Sequence, residues 1–167
     1  MSAAGDAKAL PLTSIELPPG AGLARAQRGD RAWGARMMAA SEPWLTLAQD
    51  AGRIAAGLRQ PGVELWIARE AGAPAALLAL APRGFAGAPY LKTLAVAPQA
   101  RGRGWGTRLL RFAEARFARQ GRLFLLVSSF NTGAQRLYWR HGYQKRGVLP
   151  DFVAPGYSEW ILSKDLR

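Results

Sequence analysis

The chain has 167 residues, no cysteine, one histidine, and 23 basic against 11 acidic side chains, for a formal net charge of +12. That length accommodates one domain with a core of its own, and an apolar content of 49% is that of a folded chain. Disulfides, thiolate metal sites and a cysteine nucleophile are excluded, and with His141 alone so is a histidine-rich metal site; no metal is expected.

No stretch reaches the roughly 18 apolar residues of a membrane span, and Met1–Leu10 lacks the basic-then-apolar order of a signal peptide. A cytoplasmic protein with no membrane partner is therefore expected. The arginines are scattered from Arg25 to Arg167 without a run or a basic arm, which fits a solvated surface better than a specific nucleic-acid interface. The charge does suggest an anionic ligand.

In chain order, residues 1–11 read as a flexible N-terminus and 12–167 as a single domain. Ser14–Leu17 or Ala21–Arg25 forms a first strand. Asp30 is the expected N-cap of a helix to about Ala40, interrupted by Ser41-Glu42-Pro43, since proline disfavours helix at the residue before it. A second helix covers Leu47–Leu58. Val63–Arg69 and Ala75–Leu80 are strands of a hairpin around "EAGAP", "APRGFAGAP" is a loop, and Tyr90–Val96 is the next strand. From Gly104 onward Leu109, Leu110, Phe112, Ala113 and Phe117 recur at helical spacing, with Arg108, Arg111 and Arg119 opposite. "LFLLV", Leu123–Val127, has the continuous apolar character of a strand buried on both faces and parallel to its neighbour. Asn131–His141 is a short helix closed by Gly142, and Tyr143–Leu149 and Tyr157–Leu162 are the last strands. The sum is an α/β domain on a mixed sheet with helices on both faces.

"LAVAPQARGRGWGTRLL", Leu94–Leu110, places a glycine cluster between a strand and a helix start. Main-chain N–H groups in such a turn, continued by the free N–H groups of a helix, make an anion site. The same glycines could instead serve close packing of helix and strand. GxxxxGK[ST] is absent, and Gly102-x-Gly104-x-x-Thr107 lacks the third glycine of the dinucleotide fingerprint.

Arg101-x-x-Gly104-x-Gly106, after a strand ending Leu94-Ala95-Val96-x-Pro98, resembles the coenzyme A pyrophosphate loop of the GNAT superfamily of N-acetyltransferases. The resemblance continues through "FLLVSSFNTGAQRLYWRHGYQKRG", with Asn131, Ala134, Tyr138 and Gly142-Tyr143 at the family's spacing, and through "GYSEWILSKDL". It covers about Tyr90 to Leu166. It implies a mostly antiparallel central sheet with a splayed parallel pair in the middle, and an acetyl-CoA-dependent enzyme that moves an acetyl group to a primary amine by direct attack in a ternary complex. The implied acceptor is an amine-bearing small molecule, peptide N-terminus or lysine; a homodimer stays open.

By the same resemblance, the main chain of Arg101, Gly102, Arg103, Gly104, Trp105, Gly106 and Thr107 cradles the pyrophosphate. Leu94, Ala95 and Val96 run beside the pantetheine arm, one of their N–H groups serving the developing oxyanion. Tyr138 becomes the acid that protonates the departing thiolate, although spacing alone favours a core aromatic beside Ala134 and Leu137. Asn131 is a good N-cap and, by resemblance, a pantetheine partner. The base is open: the strand "YLKTLAV" offers Lys92 where many relatives carry a glutamate, which leaves Glu42, Glu64, Asp151, Glu159 or a relaying water. Trp44, Phe130, Phe152 and Tyr157 are candidate walls of an amine pocket. His141 reads as a helix C-terminal residue. The missing strand carboxylate leaves a non-catalytic acyl-CoA-sensing module as the alternative.

Overall fold

Two Ala-Gly turns organise the first half of the sheet. Ala71 and Gly72 have φ of 46° and 81°, and Ala86 and Gly87 have 47° and 83°, the doubly positive pattern whose twist matches a tight antiparallel hairpin. They join β2 (Glu64–Glu70) to β3 (Ala73–Phe85) and β3 to β4 (Ala88–Val96), while β1 (Ala21–Arg25) pairs antiparallel with β2. The computed structural model describes residues 15–167, so the flexible terminus expected at 1–11 and Ser14 of the first candidate strand lie outside the described residues.

The second half contributes β5 (Arg122–Ser128), β6 (Gln144–Leu149) and β7 (Glu159–Asp165), giving one seven-stranded sheet in the order β1-β2-β3-β4-β5-β7-β6. Only β4 and β5 are parallel, linked by α3 (Trp105–Phe117). This is the expected mixed sheet with a parallel pair at its centre, and helices cover both faces. On one face α1 (Asp30–Ala39) and α2 (Ala51–Leu58) pack Ala35, Met38, Ile54 and Leu58 against Ile67 and Leu77. On the other, α3 and α4 (Thr132–Arg140) pack Leu109, Phe117 and Tyr138 with Leu78, Leu123 and Leu125. The helical spacing of α3 accounts for its burial: Leu109, Leu110, Ala113 and Phe117 are fully enclosed while Arg111 faces solvent. Each such leucine or phenylalanine contributes about 1.5–3 kcal/mol.

Three expectations need correction. Asp30 is not the N-cap of α1 but its first residue, after Gly29; its carboxylate reaches back to the Gln27 N–H at 2.7 Å and across to Arg69 of β2 at 2.5 Å. The second helix starts at Ala51 rather than Leu47, because Asp50 caps it by accepting the Arg53 N–H at 2.9 Å and the preceding residues form turns. "APRGFAGAP" is not a loop: β3 runs on to Phe85 and turns back at Ala86-Gly87, with Pro82 accommodated where the ladder is irregular. Among the described residues no helix is long and apolar enough to cross a membrane.

Candidate active site

The centre of the sheet is opened by one extra residue. Leu80 of β3 faces Leu91 and Ala79 faces Thr93, so Lys92 is unmatched and β4 is bulged there. A bulge bends its strand and increases its twist. The parallel ladder with β5 accordingly covers only Tyr90 opposite Phe124 and Leu91 opposite Leu125, and stops where the bulge begins. Beyond that point β5 stays paired with β7 as far as Ser128 opposite Glu159, while β4 diverges.

The gap holds a cavity of about 350 Å³ that passes between the two helical layers. Met38 of α1 and Ile54 and Leu58 of α2 line it from one face, and Ala134 and Tyr138 of α4 from the other. Lys92, Thr93 and Leu94 form one wall, Leu126 to Ser128 the facing one, and Glu159 the side beyond β5.

Of the four candidate carboxylates, Glu159 alone lines this cavity. Glu42 accepts the Thr46 N–H at 3.2 Å, Glu64 is ion-paired with Arg25 and Arg116, and Asp151 accepts the Gly156 N–H at 2.6 Å. Glu159 is 4% exposed, and its Oε1 accepts the Ser128 hydroxyl at 2.6 Å. Burial pushes its carboxyl above the usual range, and the Ser128 hydrogen bond opposes that only in part. Its neighbour Tyr90 is pushed up to about 12 by burial and by the Glu159 charge. Burial, with Tyr90 adding to it, raises the Tyr138 phenol as well, so Tyr138 keeps its proton throughout the neutral range. The site thus joins a carboxylate whose basicity is raised to a phenol that stays protonated.

The glycine loop follows β4. Gly102 and Gly104 have φ of 75° and 80°, where a Cβ is strained. The first bond into α3 runs from the Arg108 N–H to the Gly104 carbonyl at 3.1 Å. The N–H groups of Trp105, Gly106 and Thr107 therefore have no intrahelical acceptor. No side chain caps them and no acidic residue occupies the first turn, so the positive end of the helix is left for an anion.

Trp105 offers only its main chain there, because its indole is buried and donates to Glu70 Oε1 at 2.5 Å. Glu70 also binds Arg103, whose second nitrogen donates to the Gln99 carbonyl at 3.0 Å, so this glutamate ties the loop to β2. Arg101 Nε donates to the Val96 carbonyl at 3.2 Å, on the strand end expected to meet pantetheine. Gly106 also has a packing role: a Cβ on it would lie 3.2 Å from Leu137 Cδ2 of α4.

Asn131 lines the cavity and caps α4, its Oδ1 accepting the Ala134 N–H at 3.2 Å. Trp44 and Phe152 stand in the cavity wall, whereas Phe130 and Tyr157 pack edge to face with centroids 5.0 Å apart and do not line it. His141 sits at the C-terminal cap of α4, outside the cavity. Sequence reasoning missed Tyr90 and Gln135, whose amide holds the Ser128 and Ser129 carbonyls at 3.0 Å each and fixes the β5–α4 corner. An isolated tyrosine or glutamine gives no signal until strand pairing is known.

The profile of the acetyltransferase (GNAT) family matches residues 30–143. No curated protein matches the chain. Among solved structures, a proposed acetyltransferase of the GNAT family from Desulfovibrio desulfuricans is 21% identical, covering 88% of this chain and 99% of its own with a TM-score of 0.69. The ribosomal-protein-S18-alanine N-acetyltransferase from Escherichia coli is 16% identical over 87% of this chain and 94% of its own, TM-score 0.67. A GNAT family acetyltransferase from Elizabethkingia anophelis with acetyl-CoA bound is 15% identical over 89% and 99%, TM-score 0.66. At these identities the likenesses establish the fold.

Proposed function

The chain belongs to the GNAT acetyltransferase family, and from that premise we propose that it is an acetyl-CoA-dependent N-acetyltransferase acting on a primary amine by direct transfer within a ternary complex. The observation that carries this reading is the cavity in the β4–β5 gap, which both Glu159 and Tyr138 line. The open N–H groups of Trp105, Gly106 and Thr107 suit a pyrophosphate, and the diverging edge of β4 at Leu94–Val96 suits the amides of pantetheine. When bound, acetyl-CoA supplies a thioester.

The chain's residues divide the remaining work. Glu159 Oε2 accepts the proton of the acceptor ammonium, directly or through a water, leaving a neutral amine to form the new C–N bond. A main-chain N–H of Leu94–Val96 donates to the carbonyl oxygen as it gains charge. The C–S bond breaks as the Tyr138 hydroxyl donates its proton to the sulfur, and the second proton leaving the new amide nitrogen passes through water to the Tyr138 oxygen, which restores the phenol. Ser128 holds Glu159 in place through the 2.6 Å hydrogen bond. The strand before the loop still lacks a carboxylate, the ground for the sensing-module alternative; Glu159 on β7, buried in the cavity wall, supports the catalytic reading instead.

The reading is tested by release of free coenzyme A from acetyl-CoA across a panel of amines, with Tyr138→Phe as control. Release that requires an amine supports it; tight acetyl-CoA binding without release for any amine contradicts it.

A further inference from the structure

The acceptor side of the cavity has a distinctive balance of charge. Its charged side chains are Arg53, Lys92 and Glu159, two cations against one carboxylate, in a molecule of net charge +12. Glu159 is buried with Ser128 and is taken up by the transferring amine. Lys92 is the half-buried residue of the β4 bulge, and its ammonium donates to the Gln60 amide oxygen at 3.0 Å beside α2. No carboxylate among the described residues pairs with it, whereas eight other cation–carboxylate contacts form elsewhere in the molecule. A half-buried cation without an anionic partner favours a ligand that brings one. The cavity wall also carries the apolar Met38, Trp44, Leu47, Ile54 and Phe152, beside the polar Gln49, Thr93 and Asn131. The volume of about 350 Å³ is near the lower end of the roughly 300–1,000 Å³ of small-molecule sites, and part of it must admit the acyl donor.

From this arrangement we infer that the acceptor is a small apolar amine that also carries a carboxylate, of the class of aliphatic and aromatic α-amino acids, with Lys92 as the residue that selects the acid group. The inference rests on the N-acetyltransferase reading and names its substrate class. A polycationic acceptor is disfavoured, because its several ammonium groups would meet one carboxylate, Lys92 and Arg53. The exposed guanidinium of Arg53, loosely paired with Asp50 at 3.8 Å, adds to the field at the rim.

The test compares coenzyme A release with L-phenylalanine, L-phenylalaninamide and spermidine. The amide retains the ring and the α-amine but loses the carboxylate, and its amine is the more easily deprotonated, so basicity alone would favour it. The expected result is a kcat/KM for phenylalanine at least about tenfold above that for the amide, the contribution of one charge-assisted contact. In Lys92→Met that ratio collapses to about one or below, and in Lys92→Arg a preference for phenylalanine returns; the ratio within each variant is independent of how much protein is folded. Equal or faster transfer to the amide or to spermidine by the unsubstituted protein overturns the inference and leaves the acetyltransferase reading standing. A ratio unchanged in Lys92→Met overturns the role of Lys92. Absence of release with all amines, these and a wider panel, overturns the acetyltransferase reading and this inference with it.

Discussion

Replacing Glu159 with glutamine isolates proton transfer from shape. The glutamine amide oxygen can still accept the Ser128 hydroxyl, now at 2.6 Å from Oε1, so the β5–β7 corner keeps its hydrogen bond while the group can no longer take a proton. A positioned base contributes about 10²–10⁴-fold; because a water could relay part of the transfer, the expected loss in kcat is about 10²-fold, with acetyl-CoA affinity unchanged. Burial raises the Glu159 carboxyl, so the folded state holds its proton more tightly than the unfolded chain does; stability is lost as pH rises from the ordinary carboxylate value through the raised one, and the full loss is present at neutral pH. Glutamine removes that penalty, and the thermal midpoint at neutral pH should hold or rise. The rate of the unsubstituted protein should fall as pH drops through the raised Glu159 value. This acid limb should persist when the acceptor is exchanged for a less basic amine and vanish in Glu159→Gln. Coenzyme A release followed with a thiol reagent, beside calorimetry of acetyl-CoA binding, reads all of these. A glutamine variant within about threefold of the parent kcat, with the same acid limb, would refute the assignment of the base.

The other predictions concern the acid, the loop and the acceptor wall. Tyr138→Phe should lower kcat by at least about tenfold while changing acetyl-CoA affinity little, and an unaltered rate in the coenzyme A release assay would return Tyr138 to the core. Gly104→Glu should abolish coenzyme A binding in calorimetry, since it strains a residue at φ 80° and sets a negative charge at the helix start; unchanged affinity would remove the account of the loop. Gly34 of α1 lies against Leu77, into whose side chain an added Cβ would run. Gly34→Val should therefore cost about 1–3 kcal/mol, read as a lowered midpoint in urea, and an unchanged midpoint would mean that Leu77 moves aside freely.

What the sequence revealed depended on whether the signal was local. The α3 periodicity, the apolar run of β5, and the order Arg101-x-x-Gly104-x-Gly106 were legible because each is written in neighbouring residues. Asn131 as the cap of α4 was legible for the same reason. The prolines and glycines of "APRGFAGAP" suggested a loop, but the structure resolves them as an irregular ladder plus a two-residue turn, a distinction that rests on backbone angles. Glu159 stood among four candidates because its selection depends on β7 pairing with β5, which sets it opposite Ser128, 31 positions away in the chain. The bulge at Lys92 was hidden for a similar reason: an extra residue is defined only against its partner strand. Lys92 itself was visible as a departure from expectation, and its place in the cavity wall emerged only with the fold.

The most direct measurement is a crystal structure of the protein with coenzyme A. The account predicts the pyrophosphate on the N–H groups of Trp105, Gly106 and Thr107, the pantetheine along Leu94–Val96, and the sulfur within hydrogen-bonding reach of the Tyr138 hydroxyl. Coenzyme A with its pyrophosphate away from these N–H groups and its sulfur outside the β4–β5 gap would contradict it.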